Sequence, residues 1–194
     1  SELLNNKIRN PKEAERLSVF DLLGFLRHVK MQNPIYARKK PRSSYAEMLR
    51  SIRTRIEFKV LRKTNITIAI TSTESGDGKT FISTNLAGLY AMTGRPTVLL
   101  DMDIRKPNVH DKLGMSVKAG VTNYLIGECM LDDIIVHNEA FAFDIIPAGT
   151  IPPNPGELIR SDKLTELLAI LRERYDYIVI DSSPVGLVPD ALAL

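Results

Sequence analysis

The sequence has 194 residues, 44% hydrophobic and 25% charged, and 26 Lys and Arg against 23 Asp and Glu leave a formal charge of +3. That is chain enough for one domain with a real core, and so small and mixed a charge gives no reason to expect nucleic acid as a partner. Cys129 is the only cysteine, which excludes a disulfide framework and suits a reducing compartment. No apolar run approaches the ~20 residues of a membrane span, and no signal peptide is evident, so the expectation is a cytoplasmic piece.

Residues 10–17 suggest a short helix, and 19–26 an apolar segment that reads as an edge strand weakened by Gly24. Residues 33–42 carry two prolines and the cluster Arg38-Lys39-Lys40-Pro41-Arg42. Their ordinary reading is a solvated linker; the functional alternative is attraction to an anionic membrane surface or an acidic patch. Ser44 followed three residues later by Glu47 forms a capping-box pattern. Behind it Tyr45, Met48, Leu49, Ile52 and Ile56 keep a helical period, which predicts a helix over 45–59. On its polar face Glu47 falls beside Arg50, and Arg53 beside Glu57, as intrahelical ion pairs.

The stretch 66–80 organises the rest. A β-branched run, Ile66-Thr67-Ile68-Ala69-Ile70, is followed by a polar loop with Gly76 and Gly78, and then by Gly-Lys-Thr opening an amphipathic helix. Strand, glycine loop and helix in that order make a phosphate-binding device. Backbone amides from Gly76 to Thr80 converge at the positive end of a helix, Lys79 reaches phosphate, and the Thr80 hydroxyl meets Mg²⁺. Lys79 at a helix start is if anything unfavourable to the helix, so the fold is not expected to depend on its charge. Thr73 stands where such loops usually begin with Gly.

Gly94 and Arg95-Pro96 end the helix, and Thr97-Val98-Leu99-Leu100 is a second buried strand running into Asp101 and Asp103. Acids at i and i+2 share a side if the chain stays extended, and ligands of open α/β sheets bind outside the strands' carboxyl ends. The alternative is an Asp-rich turn that caps the next helix. Residues 121–125 read as a helix ending at Gly127, and 132–136 and 143–146 as short strand segments around a polar turn. A proline loop, Ile151-Pro152-Pro153-Asn154-Pro155, feeds a short helix, and Ser161 caps another that carries Leu164, Leu167, Leu168 and Leu171. A third buried strand, 177–180, closes on Asp181, the position from which a carboxylate reaches Mg²⁺ through water. Alternating strands and helices predict a mostly parallel sheet with helices on both faces. A helix is expected to begin at Asp190, close to where the sequence stops, and the expectation is that more of the domain follows.

Five segments in order resemble the bacterial tyrosine kinase (BY-kinase) family: Glu47-x-x-Arg50-x-x-Arg53, residues 71–80, Asp101-x-Asp103-x-Arg105-Lys106-Pro107, the proline loop with Glu157-Leu158, and Ile178-Val179-Ile180-Asp181-Ser182-Ser183-Pro184. The resemblance implies a P-loop NTPase fold of the deviant Walker A type shared with MinD and ParA. On this reading residues 1–43 are a juxtamembrane segment and linker, and 44–194 a kinase domain truncated at its C-terminus. The implied activity is ATP-dependent tyrosine phosphorylation between subunits, regulating polymerisation and export of a capsular or extracellular polysaccharide. The implied nucleotide site is Ser75, Gly76, Asp77, Gly78, Lys79, Thr80 and Phe81, with Thr80, Asp101, Asp103 and Asp181 around Mg²⁺ and Lys79, Asp101 and Asp103 catalytic. Asp101 would accept the tyrosine proton or order the metal shell, and Arg105 would pair with an acid or touch a phosphate. Implied partners are ATP or ADP, a ring of copies joined through Glu47, Arg50 and Arg53, a membrane-spanning co-polymerase part, a tyrosine substrate and a tyrosine phosphatase. The implied location is the cytoplasmic face of the inner membrane. The family's tyrosine-rich tail is not in this sequence. Two other functions compete: a partition-type ATPase switch, disfavoured because Glu74 stands where those proteins carry a signature Lys, and a nucleotide-binding export scaffold without catalysis.

Overall fold

The three apolar runs are strands, and a fourth joins them in one parallel sheet, in a computed structural model that describes residues 10–27, 34–60, 65–137 and 139–186. The strands are β1 (Ile66–Ile70), β2 (Thr97–Met102), β3 (Asp144–Ile146) and β4 (Tyr177–Ser182), in spatial order β1-β4-β2-β3. The helices are α1 (Pro11–Leu17), α2 (Tyr36–Lys39), α3 (Ser44–Lys59), α4 (Lys79–Ala91), α5 (Val109–Leu113), α6 (Val121–Ile126), α7 (Pro155–Ile159) and α8 (Asp162–Arg174). The two central strands, β2 and β4, are buried at every residue, as expected of strands covered on both faces.

Alternation along these strands divides the core. Val98, Leu100, Ile178 and Ile180 pack towards Leu164, Leu167 and Leu171 of α8 and Val121 and Leu125 of α6. Leu99 and Val179 pack towards Leu86, Ala87 and Tyr90 of α4. Side chains two apart share a face, so Asp101 and Asp181 belong to the α4 side. They are direct register partners in the β2–β4 ladder. Both lie inside strands that run to Met102 and Ser182, two residues further than the apolar runs suggest.

Several expectations need correction. Residues 19–26 form no strand but an irregular strap across α3: Arg55 Nη1 donates to the Leu22 carbonyl at 3.4 Å and Asp21 pairs with Lys59. A Cβ on Gly24 would lie 2.7 Å from Ile52, so Gly24 serves close approach to a helix rather than a sheet edge. The charged stretch 34–42 holds the single turn α2, with Ile35 and Ala37 buried. Pro34's carbonyl accepts from Thr84 Oγ1 and Asn85 Nδ2, both at 2.8 Å, and the Ala37 amide donates to Asn85 Oδ1 at 2.8 Å. Its first residues are docked on α4, whereas Lys39, Lys40, Pro41 and Arg42 are exposed, as a solvated linker would be. The N-cap of α3 is Ser43, whose Oγ accepts from the Ala46 amide at 3.2 Å; one residue's shift takes Glu47 out of the capping box. Of 132–136, only Val136 bridges Ile145, after a 3-10 turn at Leu131–Asp133. The helix expected from Asp190 lies outside the described residues.

The α6 start shows how tightly the loops behind β3 are built. The Val121 and Thr122 amides donate to the Pro147 and Ala148 carbonyls at 2.8 and 3.0 Å. A Cβ on Gly120 would collide with the Pro147 carbonyl oxygen and the Gly149 amide nitrogen. Backbone cannot give way as a side-chain tip can. Gly120→Ala is therefore expected to cost about 1–3 kcal/mol, read in a melting curve as a loss of several degrees; an unchanged midpoint would contradict this packing.

Candidate nucleotide site

The site forms where β1, β2 and β4 end and α4 begins. Gly76 and Gly78 have φ of +96° and +95°, which an L side chain adopts only with strain. The loop is braced from inside, since the Glu74 amide donates to Asp77 Oδ2 at 2.9 Å. Residues 73–77 are exposed, Phe81 is half-buried against Tyr45 with ring centroids 5.4 Å apart, and Lys79 and Thr80 are buried at the first turn of α4.

The acids gather as the chain order implies, but with distinct surroundings. Lys79 Nζ lies 3.4 Å from Asp103 Oδ2, and Asp103 Oδ1 accepts from Ser183 Oγ at 3.0 Å and from the Lys106 amide at 3.3 Å. Asp181 Oδ1 lies 3.0 Å from Ser83 Oγ, whose single proton is shared with the Lys79 carbonyl at 2.9 Å. Burial pushes the Asp181 carboxyl up, and hydrogen bonds from Thr80 and Ser83 and the charge of Lys79 oppose it. Asp101 is fully buried; its two oxygens accept from the amides of Asp103 at 3.1 Å and Val109 at 3.3 Å. Its carboxyl is pushed up to about 8, chiefly by burial and then by the neighbouring Asp181. Asp101 thus shapes the loop carrying Asp103, while Asp103 and Asp181 flank Lys79. Arg105 is exposed two residues beyond Asp103.

Ser83 and Ser183 were not among the expected residues. Ser83 follows Lys79 by one helical turn, a spacing that places it on Lys79's side of α4; Ser183 carries no such signal. The expected oligomer residues lie apart from this site on α3. Glu47 and Arg50 pair at 2.6 Å and Arg53 and Glu57 at 3.7 Å, while Arg53 Nη1 also donates to the Leu89 carbonyl at 2.9 Å.

Among the described residues no three His, Cys, Asp or Glu side chains form a ready metal cage. The donors present are hard oxygens, Thr80, Asp103 and Asp181, beside a glycine loop. That set fits Mg²⁺, which keeps several waters and binds by one or two carboxylates plus phosphate.

A glycine loop between a parallel strand and a helix start, faced by carboxylates from two neighbouring strand ends, defines a P-loop nucleotide-binding domain. A family model described as an AAA domain matches residues 65–191. The chain is 36% identical over 159 residues to the tyrosine-protein kinase CapB of Staphylococcus aureus, covering 82% of this chain and 70% of that one. It is 33% identical over 165 residues to the tyrosine-protein kinase etk of Escherichia coli K12, covering 85% of this chain but only 23% of the relative. The solved kinase domain of the Escherichia coli tyrosine kinase ETK superposes with a TM-score of 0.87 at 29% identity, over 95% of this chain and 76% of that one. The septum site-determining protein MinD of Pyrococcus horikoshii, solved with Mg-ADP, superposes with a TM-score of 0.56 at 30% identity, over 66% and 53%. The chain belongs to the bacterial tyrosine-protein kinase family.

Proposed function

We propose that this chain binds MgATP and transfers the γ-phosphoryl group to tyrosine on another chain, at the cytoplasmic face of a bacterial inner membrane, within a capsular or extracellular polysaccharide export system. The observation that carries this reading is Lys79 held between a glycine loop and the Asp103 and Asp181 carboxylates in a member of the tyrosine kinase family. The Gly76 to Thr80 amides hold the phosphates, with Ser75, Asp77 and Phe81 flanking the nucleotide, and Lys79 exchanges Asp103 for phosphate oxygens. Thr80, Asp103 and Asp181 hold Mg²⁺, which neutralises charge on the transferred group. Transfer of this kind is loose, so positioning matters more than a strong base. Asp103, less deeply buried than Asp101, orders the metal shell, Asp101 fixes the loop that aims it, and the tyrosine proton passes to water or to the transferred phosphate oxygens. Arg105 meets phosphate or substrate at the rim.

The chain's own tyrosines make poor substrates. Tyr45, Tyr90, Tyr175 and Tyr177 are buried, Tyr36 packs edge-on against Tyr45 at 6.1 Å, and the half-buried Tyr124 has Lys163 Nζ over its ring at 5.1 Å. The acceptor therefore belongs to another segment or protein, and a tyrosine phosphatase and a membrane-spanning co-polymerase part complete the system. A phosphotyrosine blot after incubation with MgATP tests the reading. Label that requires both Mg²⁺ and Lys79 is expected; label that persists without either overturns it.

Assembly is proposed to run through Glu47, Arg50 and Arg53 of α3 into a closed ring, as a head-to-tail contact must close or grow into filaments. Arg50 beside Glu47 holds its carboxyl below the usual range, and the pair is there to be exchanged for an arginine of a neighbouring chain. Because Ser43 caps α3, Glu47→Gln removes charge without removing a cap. The variant is expected to melt like the parent but sediment as a smaller species. Equal sedimentation at equal concentration would place the contact elsewhere.

A further inference from the structure

We propose that Ser183 is a positioning residue for the Asp103 carboxylate, fixing which oxygen is offered to the metal of the bound nucleotide. The inference rests on the nucleotide reading above and concerns how the site holds its own acid. Asp103 lies just past β2, in a loop where nothing in the ladder constrains its side chain. Ser183 lies just past β4 and is itself held by its backbone, for Thr71 Oγ1 donates to the Ser183 carbonyl at 2.8 Å. Two residues on, the Val185 amide donates to the Ser72 carbonyl at 2.9 Å. The β4 exit is thus stitched to the entrance of the phosphate loop, and Ser183 Oγ reaches from there to Asp103 Oδ1 at 3.0 Å. Both residues are buried, at 2% and 8% exposure, so water does not readily replace this bond.

The consequence is a division of labour between the two oxygens of Asp103. Oδ1 is committed to Ser183 and to the Lys106 amide. Among the described residues Oδ2 meets a single loose contact, with Lys79 at 3.4 Å. When Lys79 turns to phosphate, Oδ2 is left pointing into the site, and the Ser183 bond keeps the carboxylate from following the lysine. Ser83 has a weaker claim to such a role for Asp181, because the Lys79 carbonyl competes for its proton.

Loss of a hydrogen bond that orients a metal-binding carboxylate typically lowers metal affinity ~10–100-fold. The test is titration of a fluorescent ADP into the full chain at graded Mg²⁺ and in EDTA, with melting curves in parallel. Ser183→Ala is expected to raise the Mg²⁺ needed for half-maximal tightening about tenfold or more, with ADP affinity in EDTA unchanged. Ser183→Thr keeps the hydroxyl and is expected to restore the parent's Mg²⁺ response. In an Asp103→Asn background the Ser183→Ala effect should vanish, since the two act through one bond. An unchanged Mg²⁺ response in Ser183→Ala, or equal weakening with and without Mg²⁺, overturns the inference while leaving nucleotide binding intact. A parent whose ADP binding ignores Mg²⁺ overturns the inference alone, and a parent that binds no ADP overturns the nucleotide reading and the inference with it.

Discussion

Lys79→Met is expected to lower tyrosine phosphorylation by ~10²–10³-fold, the usual loss when one preorganised charge is removed from a developing anion. It is also expected to abolish the thermal stabilisation that MgADP gives the parent, since a ligand that no longer binds the native state no longer shifts its melting. The same change should destabilise the empty protein modestly. Lys79 and Asp103 are a buried pair with side chains 7% and 11% exposed. Taking one partner from a tight buried pair costs ~3–5 kcal/mol. At 3.4 Å, and with Ser183 and the Lys106 amide still on Asp103, we expect the lower part of a ~1–3 kcal/mol range, as for a buried acceptor losing one partner. Kinase assays and melting curves with and without MgADP check all three statements. A variant that still phosphorylates would remove Lys79 from the mechanism.

Asp101→Asn is expected to cut activity ~10²-fold, as when a disturbed support misplaces a reacting group, yet to change stability with opposite sign at the two ends of the pH range. The folded-state carboxyl sits up at about 8, against about 3.9 in an unfolded chain. Between those values the native state holds a proton that the unfolded state has released, so the parent loses stability as pH rises. This contribution is fully present below about pH 4 and gone above about pH 8. Asn carries no charge to bury and should flatten the profile. Its amide group, however, faces one of the two backbone amides that Asp101 accepts from, a mismatch worth ~1–3 kcal/mol. The variant should therefore melt below the parent near pH 4 and above it near pH 8. Parallel melting curves across that range would show that burial of Asp101 costs nothing.

Most of the scaffold was legible because its signals are local. Two glycines before Lys79-Thr80, and β-branched runs closing on acids, fix strand, loop and helix independently of anything distant. The parity of Leu99 with Asp101, and of Val179 with Asp181, even carries the face on which both acids lie. What was missed depends on contacts between distant segments. The run 19–26 has a strand's composition, but its Gly24 answers to Ile52 of α3 rather than to a neighbouring strand. The prolines and charges of 34–42 say linker, while Thr84 and Asn85 of α4 draw that backbone in. The choice between Ser43 and Ser44 as cap turns on one residue's dihedral angles, a boundary that patterns rarely resolve. Ser183 is one small polar residue in a loop, and only the meeting of two strand ends gives it a task. Lys79 looked dispensable to the fold because its buried partner lies 24 residues away.

The grip of Asn85 on Pro34 and Ala37 gives the domain a handle. Asn85 is six residues along α4 from Lys79, about 9 Å at the rise of an α-helix, and a helix over that distance behaves as a rod. The backbone at Pro34 and Ala37 is therefore joined to the phosphate seat through one helix, without passing through the sheet.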